Sequence, residues 1–455
     1  MNWNCKRLFL GIFLFWYFPG FAQENLTLAD AIQRALQNNY QINIVQAQTE
    51  ITDRNNSWLA TGMFPSLSAG GSGGINYSEP NNPINPFQNF PTRTTNVGGQ
   101  VELNWTLFNG LRVYAEKDRL ALLHQQSEGN AAIVVENTVQ AVLLAYYQAL
   151  LQKEKLEVQK SVLQLSKDRY RYAEESKELG ASTSFDALQF QTAFLSDSAN
   201  YLSQKVAYDN SLLQLKLIMA EEEEAEFTLS DSLQFQGREY ELDLLKSQLK
   251  NNNKTLRNQY INAQIFQKEL ALAKRAQSPS LNMNGGVSYN KNYFYTDQFP
   301  AYLRDPTIPQ GETTTINSSG STLNYYANFT LSFNIFNNLQ VRRAIQNTKV
   351  QERIAEIQVD EMEQEMNVNI EKALKLYATQ KTMLAVTALN EQSAALNLQM
   401  AEERLKNGSI NSLDFRNIQT DYLRIASNNL EALYNALEAE TELLRLSGVI
   451  LGEVE

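Results

Sequence analysis

The chain has 455 residues, 50 of them acidic and 39 basic, for a formal net charge of −11. That balance excludes nucleic acid as a natural partner and favours a surface or lumen that attracts cations. One histidine, His124, and one cysteine, Cys5, exclude a His-based metal site and a disulfide framework, and no phosphate-binding loop or catalytic triad can be read, so no cofactor and no enzymatic activity are expected.

Residues 1–22 read as a secretory signal peptide. Lys6 and Arg7 form a positive start, Leu8 to Phe18 an apolar run, and Gly20-Phe21-Ala22 a small-x-small cleavage site. Cys5 precedes the apolar run, so no lipid anchor is expected. Without Lys6 and Arg7 the net charge falls from −11 to −13, because residues 1–22 hold no Asp or Glu. Mean hydropathy is −0.39. Beyond residue 22 no apolar run reaches the roughly 18 residues of a spanning helix. A β-barrel, whose alternating signal is weaker, stays open.

A first repeat is expected over 23–222: a helix, strands at about 66–77 and 97–107, then helices over 111–179 and 184–220. Val97, Val101, Leu103, Trp105 and Leu107 alternate with Gln100, Glu102, Asn104 and Thr106. This period of two puts apolar and polar side chains on opposite faces. From Leu111 to Leu179 there is no proline, a length of about 100 Å as a helix. Val135, Val142, Ala149, Leu156, Leu163 and Tyr170 recur every seven residues, while a second seam of Val139 and Tyr146 turns basic at Lys153 and Lys160. Sustained sevens mean coiled-coil packing. His124 is expected to be a solvated residue of this helix. Gly180 then fits a left-handed C-cap, a small hydroxyl residue starts the returning helix, and Asp186 lies in its first turn, favourable for the helix dipole.

After a linker over 223–241 the pattern returns across 242–455, with a helix, strands at about 280–290 and 323–335, and helices over 340–406 and 412–448. Leu107-Phe108-Asn109-Gly110 recurs as Ile335-Phe336-Asn337-Asn338, and Gly180 with Asp186 as Gly408 with Asp414, each 228 positions on. Pro65-Ser66-Leu67 recurs as Pro279-Ser280-Leu281 at 214, and Leu36-Gln37-Asn38-Asn39 as Leu249-Lys250-Asn251-Asn252 at 213. The chain is a duplicated half-molecule. The strands are joined by long loops, about 78–96 and 291–322, rich in Pro, Asn and Thr. Four strands cannot close a membrane barrel, the smallest of which have about 8, and open edges are not viable in lipid. A barrel must then be shared between copies, two giving 8 strands and three giving 12.

Together these pieces resemble the TolC family of outer-membrane efflux proteins over essentially the whole chain after the leader. The matching stretches are Leu26-Thr27-Leu28-Ala29-Asp30-Ala31-Ile32 with Ala35-Leu36 and Asn38-Asn39, Phe64-Pro65-Ser66-Leu67, Trp105-Thr106-Leu107-Phe108-Asn109-Gly110, and the two glycine turns. The resemblance implies a mixed α/β membrane protein. Its duplicated strand pairs and long helical hairpins would build a homotrimer with a 12-stranded β-barrel in the outer membrane, continuous with a 12-helix coiled-coil tunnel through the periplasm of a Gram-negative bacterium. The linker would join an equatorial region. The resemblance also implies an exit duct, with outer-membrane lipid, a periplasmic adaptor and an inner-membrane pump as partners. Leu179, Gly180, Ala181, Asn407, Gly408 and Ser409 would form the periplasmic tip that meets the adaptor. Asp186 and Asp414 would form the periplasmic gate, three copies of Asp414 making an acidic ring. A second ring carboxylate of the family is Asn417 here, and its gate arginine is Ile410, for which Arg416 is the candidate substitute.

Two other readings use long helical hairpins. A periplasmic adaptor has one hairpin flanked by soluble β-domains, against which the duplicated strand–helix order argues. A structural tether needs no amphipathic strands. Eight methionines and one histidine argue against a dedicated copper duct.

Overall fold

The computed structural model describes residues 24–81, 84, 89–180, 182–222 and 227–453; the leader read over 1–22 and Ala181 lie outside them. The elements in chain order are β1 (Glu24–Leu26), α1 (Leu28–Asn38), α2 (Tyr40–Asn55), β2 (Ser66–Ser78), β3 (Thr92–Phe108), α3 (Arg112–Glu178), α4 (Ser184–Met219), β4 (Phe227–Leu229), α5 (Leu242–Asn252), α6 (Lys254–Arg275), β5 (Ser280–Pro300), β6 (Thr313–Ser332), α7 (Gln340–Lys406) and α8 (Ser412–Ser447). Single 3-10 turns follow β5 and α8. The duplication is exact in helix length: α3 and α7 each have 67 residues, α4 and α8 each 36. The chain forms two compact units. One comprises residues 45–131 and 254–365; the other comprises residues up to 44 together with 132–253 and 366–455.

The first unit holds an antiparallel four-stranded sheet in the order β2-β3-β5-β6. Its register lines up the apolar set across all four strands: Ala69 faces Val101, Val101 faces Val287, and Val287 faces Tyr325. The opposite face aligns Ser66, Asn104, Asn284 and Asn328. There Asn284 Nδ2 donates to Asn104 Oδ1 at 2.7 Å, and Thr106 Oγ1 to Asn282 Oδ1 at 3.0 Å. Period-two patterning thus sets one register, since a one-residue slip would put every apolar side chain on the polar face. The strands have 13, 17, 21 and 20 residues, longer than the alternation alone suggested. Much of the segment read as a long loop over 291–322 is strand, because its Tyr, Phe and Thr residues suit a pleated surface. β6 ends at Ser332, so Phe333 to Ile335 lie outside it.

In the same unit His124 is only partly exposed, rather than a fully solvated surface residue. Its side chain is 18% exposed, with Nε2 3.4 Å from Glu128 and Nδ1 3.4 Å from the Thr52 hydroxyl. Helix α2 packs along α3 here and covers the ring.

The second unit has the main core. Val139, Val142, Tyr146 and Ala149 are all buried in it, so both seams of α3 are packed. The seam that turns basic does so where it meets backbone: Lys153 Nζ donates to the Leu229 carbonyl at 2.8 Å. β4 pairs in parallel with β1, a ribbon with no counterpart in the sequence reading. Tyr146 Oη donates to the Leu26 carbonyl at 2.9 Å and to Asp231 Oδ2 at 2.8 Å, and the Leu28 amide donates to the same carboxylate oxygen at 2.8 Å. Burial first, then the Asp231 carboxylate, pushes the Tyr146 phenol well above its ordinary range.

The duplication recurs as a shared contact. α1 and α2 break at Asn39, and α5 and α6 at Asn253, 214 positions on. Asn39 Nδ2 donates to the Ile218 carbonyl at 2.8 Å, and Asn253 Nδ2 to the Leu446 carbonyl at 3.0 Å. Each acceptor lies next to the end of a 36-residue helix, where carbonyls lack intrahelical partners. The structural counterpart of Asn39 is therefore Asn253, one residue beyond the sequence match.

Candidate functional site at the two interhelical turns

Both turns lie in the second unit and are built alike. α3 ends at Glu178, and the Gly180 amide donates to the Lys177 carbonyl at 3.0 Å. α7 ends at Lys406. There the Gly408 amide donates to Leu405 at 3.0 Å, and the Ser409 amide to Arg404 at 2.7 Å. Gly180 has φ +73° and Gly408 φ +66°, and a Cβ at either would meet nothing within 4 Å. Backbone handedness alone, not crowding, requires glycine here. Leu179 is 84% exposed, and Asn407, Gly408 and Ser409 are exposed as well.

The return helices are capped by side chains. Thr183 Oγ1 accepts from the Asp186 amide at 3.1 Å, and Asn411 Oδ1 accepts from the Asp414 amide at 2.8 Å. The expected small hydroxyl is thus present at the first turn only. At the second, Ser409 stays within the turn and the Asn411 amide group does the capping, since it reaches the same backbone donor.

Asp186 ties the two hairpins together. Its Oδ2 accepts from the Thr183 hydroxyl at 2.6 Å, and its Oδ1 accepts from the hydroxyl of Ser412, the first residue of α8, at 2.9 Å. Ser412 also lies 3.0 Å from Gln189 Oε1. The Thr183 hydroxyl, then that of Ser412, holds the Asp186 carboxyl below the usual carboxylate range. Asp414 and Asn417 are exposed. No contact among the described residues joins Asp414 to Asp186.

Arg416 does not substitute for the missing gate arginine beside Asp186. It pairs instead with Asp197, in the next turns of α4: Nη1 meets Oδ2 at 2.6 Å and Nη2 meets Oδ1 at 2.7 Å, a two-pronged contact. Asp197 is fully buried. Ser166 of α3 donates to Asp197 Oδ2 at 2.5 Å, and Gln419 Nε2 donates to Ser166 Oγ at 2.9 Å. Gln419 Oε1 accepts from Arg416 at 2.9 Å, closing a ring of four side chains from α3, α4 and α8. Phe415 is buried beside Arg416, with the Arg169 guanidinium 5.6 Å from the Phe415 ring. A cleft of about 360 Å³ lies alongside, lined by Phe185, Leu188, Phe190, Phe415 and both arginines. Sequence reasoning missed Asp197. The available signal was spacing: eleven residues, three helical turns, place it on the same face of α4 as Asp186.

No cluster of three or more His, Cys, Asp or Glu side chains that could hold a metal exists among the described residues. Hydrogen-bonded carboxylates and a buried ion pair between helices can lock or release helix ends.

Among curated protein sequences none matches this chain. Solved structures match its fold. The outer membrane channel CmeC of Campylobacter jejuni superposes with a TM-score of 0.71 at 16% identity, covering 93% of this chain and 86% of that one. CusC gives 0.70 at 14% identity, with 92% of each chain covered. The MtrE outer membrane channel of Neisseria gonorrhoeae gives 0.66 at 14% identity, covering 93% and 89%. The sequence pattern of the outer membrane efflux protein family matches residues 31–221 and 245–449, which span both repeats. The chain therefore belongs to the outer membrane efflux protein family, whose members are TolC-like channels of the outer membrane and not enzymes.

Proposed function

We propose that this protein is the outer-membrane exit duct of a tripartite efflux or type I secretion system. Substrate would pass from an inner-membrane pump, through a periplasmic adaptor, to the outside. The observation that carries the reading is the sheet: one continuous apolar face, with β2 and β6 each left with a free edge. Such a sheet is unsuited to lipid alone, because unpaired backbone groups in hydrocarbon cost several kcal/mol each (about 4–8 for an amide in an apolar solvent). Pairing β6 of one copy with β2 of the next in a homotrimer closes 12 strands and removes every edge. The 67-residue helices, at about 1.5 Å per residue, would extend about 100 Å into the periplasm. The segment from Glu221 to Glu241 would lie in an equatorial belt. The exposed turn residues Leu179, Gly180, Asn407, Gly408 and Ser409, with Ala181, would meet the adaptor. Asp186 would hold the tip closed through Ser412, and three Asp414 carboxylates would ring the entrance.

The test is single-channel recording in a planar lipid bilayer under a salt gradient. Small, cation-selective steps are expected, with Asp414→Ala less selective and leakier. Folded protein that fails to insert would sink the barrel and promote a soluble adaptor.

A further inference from the structure

All four sheet strands meet their helices at one end, at Ser66, Phe108, Ser280 and Ser332. The joining segments, 56–65, 109–111, 276–279 and 333–339, carry no charged residue. The helix ends that flank them contribute Arg112, Lys274, Arg275, Arg342 and Arg343, and the first acidic residues behind Arg112 and Lys274, Glu116 and Glu269, pair with Arg119, in a chain whose net charge is −11. The opposite end is mixed, with Glu79, Asp297, Asp305 and Glu312 against Arg93, Lys291 and Arg304. Arg112, Lys274, Arg342 and Arg343 are exposed, and none forms an ion pair among the described residues. Arg275 donates to the Leu111 carbonyl.

Aromatic side chains share this end. Trp58 and Tyr114 meet edge to face at 5.5 Å, and Trp105 Nε1 donates to the Met63 carbonyl at 2.9 Å. Trp58, Trp105, Phe108 and Tyr114 are all more than a third exposed. Like charges gathered without counter-ions do not stabilise a fold. A cationic band beside amphipathic aromatic rings, at the border of an apolar sheet face, has the chemistry of a membrane–water interface facing anionic headgroups.

We infer that this collar binds the phosphate headgroups of anionic phospholipid in the membrane leaflet on the helix side of the sheet. The inference rests on the membrane reading of the sheet. Each engaged cation enriches anionic lipid locally by roughly five-fold.

Trp58 and Trp105 both lie at this end, so the experiment is tryptophan quenching by brominated lipid. The protein, isolated from membranes of an expressing bacterium, is reconstituted in vesicles of phosphatidylcholine with one-fifth phosphatidylglycerol, the bromine being carried on one lipid or the other. Per mole, brominated phosphatidylglycerol should quench at least twice as strongly. That preference should fall as salt rises from low ionic strength to 1 M, and should vanish in the variant Arg112→Gln/Lys274→Gln/Arg342→Gln/Arg343→Gln. Unchanged quenching by brominated phosphatidylcholine would show that variant still embedded. Equal quenching by both lipids in the unaltered protein overturns the collar and leaves the barrel standing. Quenching by neither overturns both.

Discussion

The buried pair between Arg416 and Asp197 invites the sharpest perturbation. Arg416→Ala removes both prongs and leaves Asp197, fully buried, with only the Ser166 hydroxyl donating to it. Breaking a buried pair by deleting one partner costs about 3–5 kcal/mol, because a charge is left uncompensated. The Arg416 side chain is 27% exposed, so water can reach part of the site and the lower end, about 3 kcal/mol, is the appropriate figure. At 1.4 kcal/mol per decade that is on the order of a hundred-fold in the local opening equilibrium. Global melting is the wrong readout, since membrane strands would dominate it. Amide hydrogen exchange on the lipid-embedded protein resolves the segment instead. Exchange over 190–200 and 412–422 should accelerate on the order of a hundred-fold, while α1 stays unchanged. The double variant Asp197→Leu/Arg416→Met should recover most of the protection, because neither charge is then stranded. An Arg416→Ala exchange rate within three-fold of the unaltered protein (about 0.7 kcal/mol) would refute the argument.

Two further predictions concern the turns and the helix ends. The folded Asp186 carboxyl is depressed, so its stabilising contribution is present above the ordinary carboxylate value, 3.8, and is lost as pH falls through the lower folded value. Conductance should hold steady from pH 7 to 5 and rise below about 4. Ser412→Ala should move that rise toward higher pH, and a midpoint unmoved by Ser412→Ala would remove the link between Asp186 and opening. Asn253→Ala should expose the Leu446 carbonyl end and cost about 1–2 kcal/mol, and Asn39→Ala somewhat less because its site is wetter. Exchange at the last turns of α8 and α4, respectively, reads each loss; a variant that left its own helix end protected would contradict the shared role.

What the sequence determined by itself is what neighbours along the chain can encode. Gly180 and Gly408 announce left-handed turns, and the lack of proline over 111–179 leaves α3 uninterrupted. The seven-residue repeat marks both packed seams, and the period of two marks the faces of β3 and β6. Each is a local steric or patterning constraint, legible within a few turns of chain, and its recurrence at 228 positions exposes the duplication. Only the tertiary structure decided which distant groups meet. Arg416 could reach Asp186 or Asp197 on spacing alone; in the fold it pairs with Asp197, 219 residues away, within a ring that Ser166 and Gln419 complete. The Leu28 amide finds Asp231 across 203 residues, and the short β1–β4 ribbon forms because Tyr146 and Lys153 offer partners to its carbonyls. His124 looked solvated because its own helix shows it as polar, yet α2 covers it. These contacts depend on how helices settle against one another, and pairings between elements hundreds of residues apart leave no period in the sequence to read.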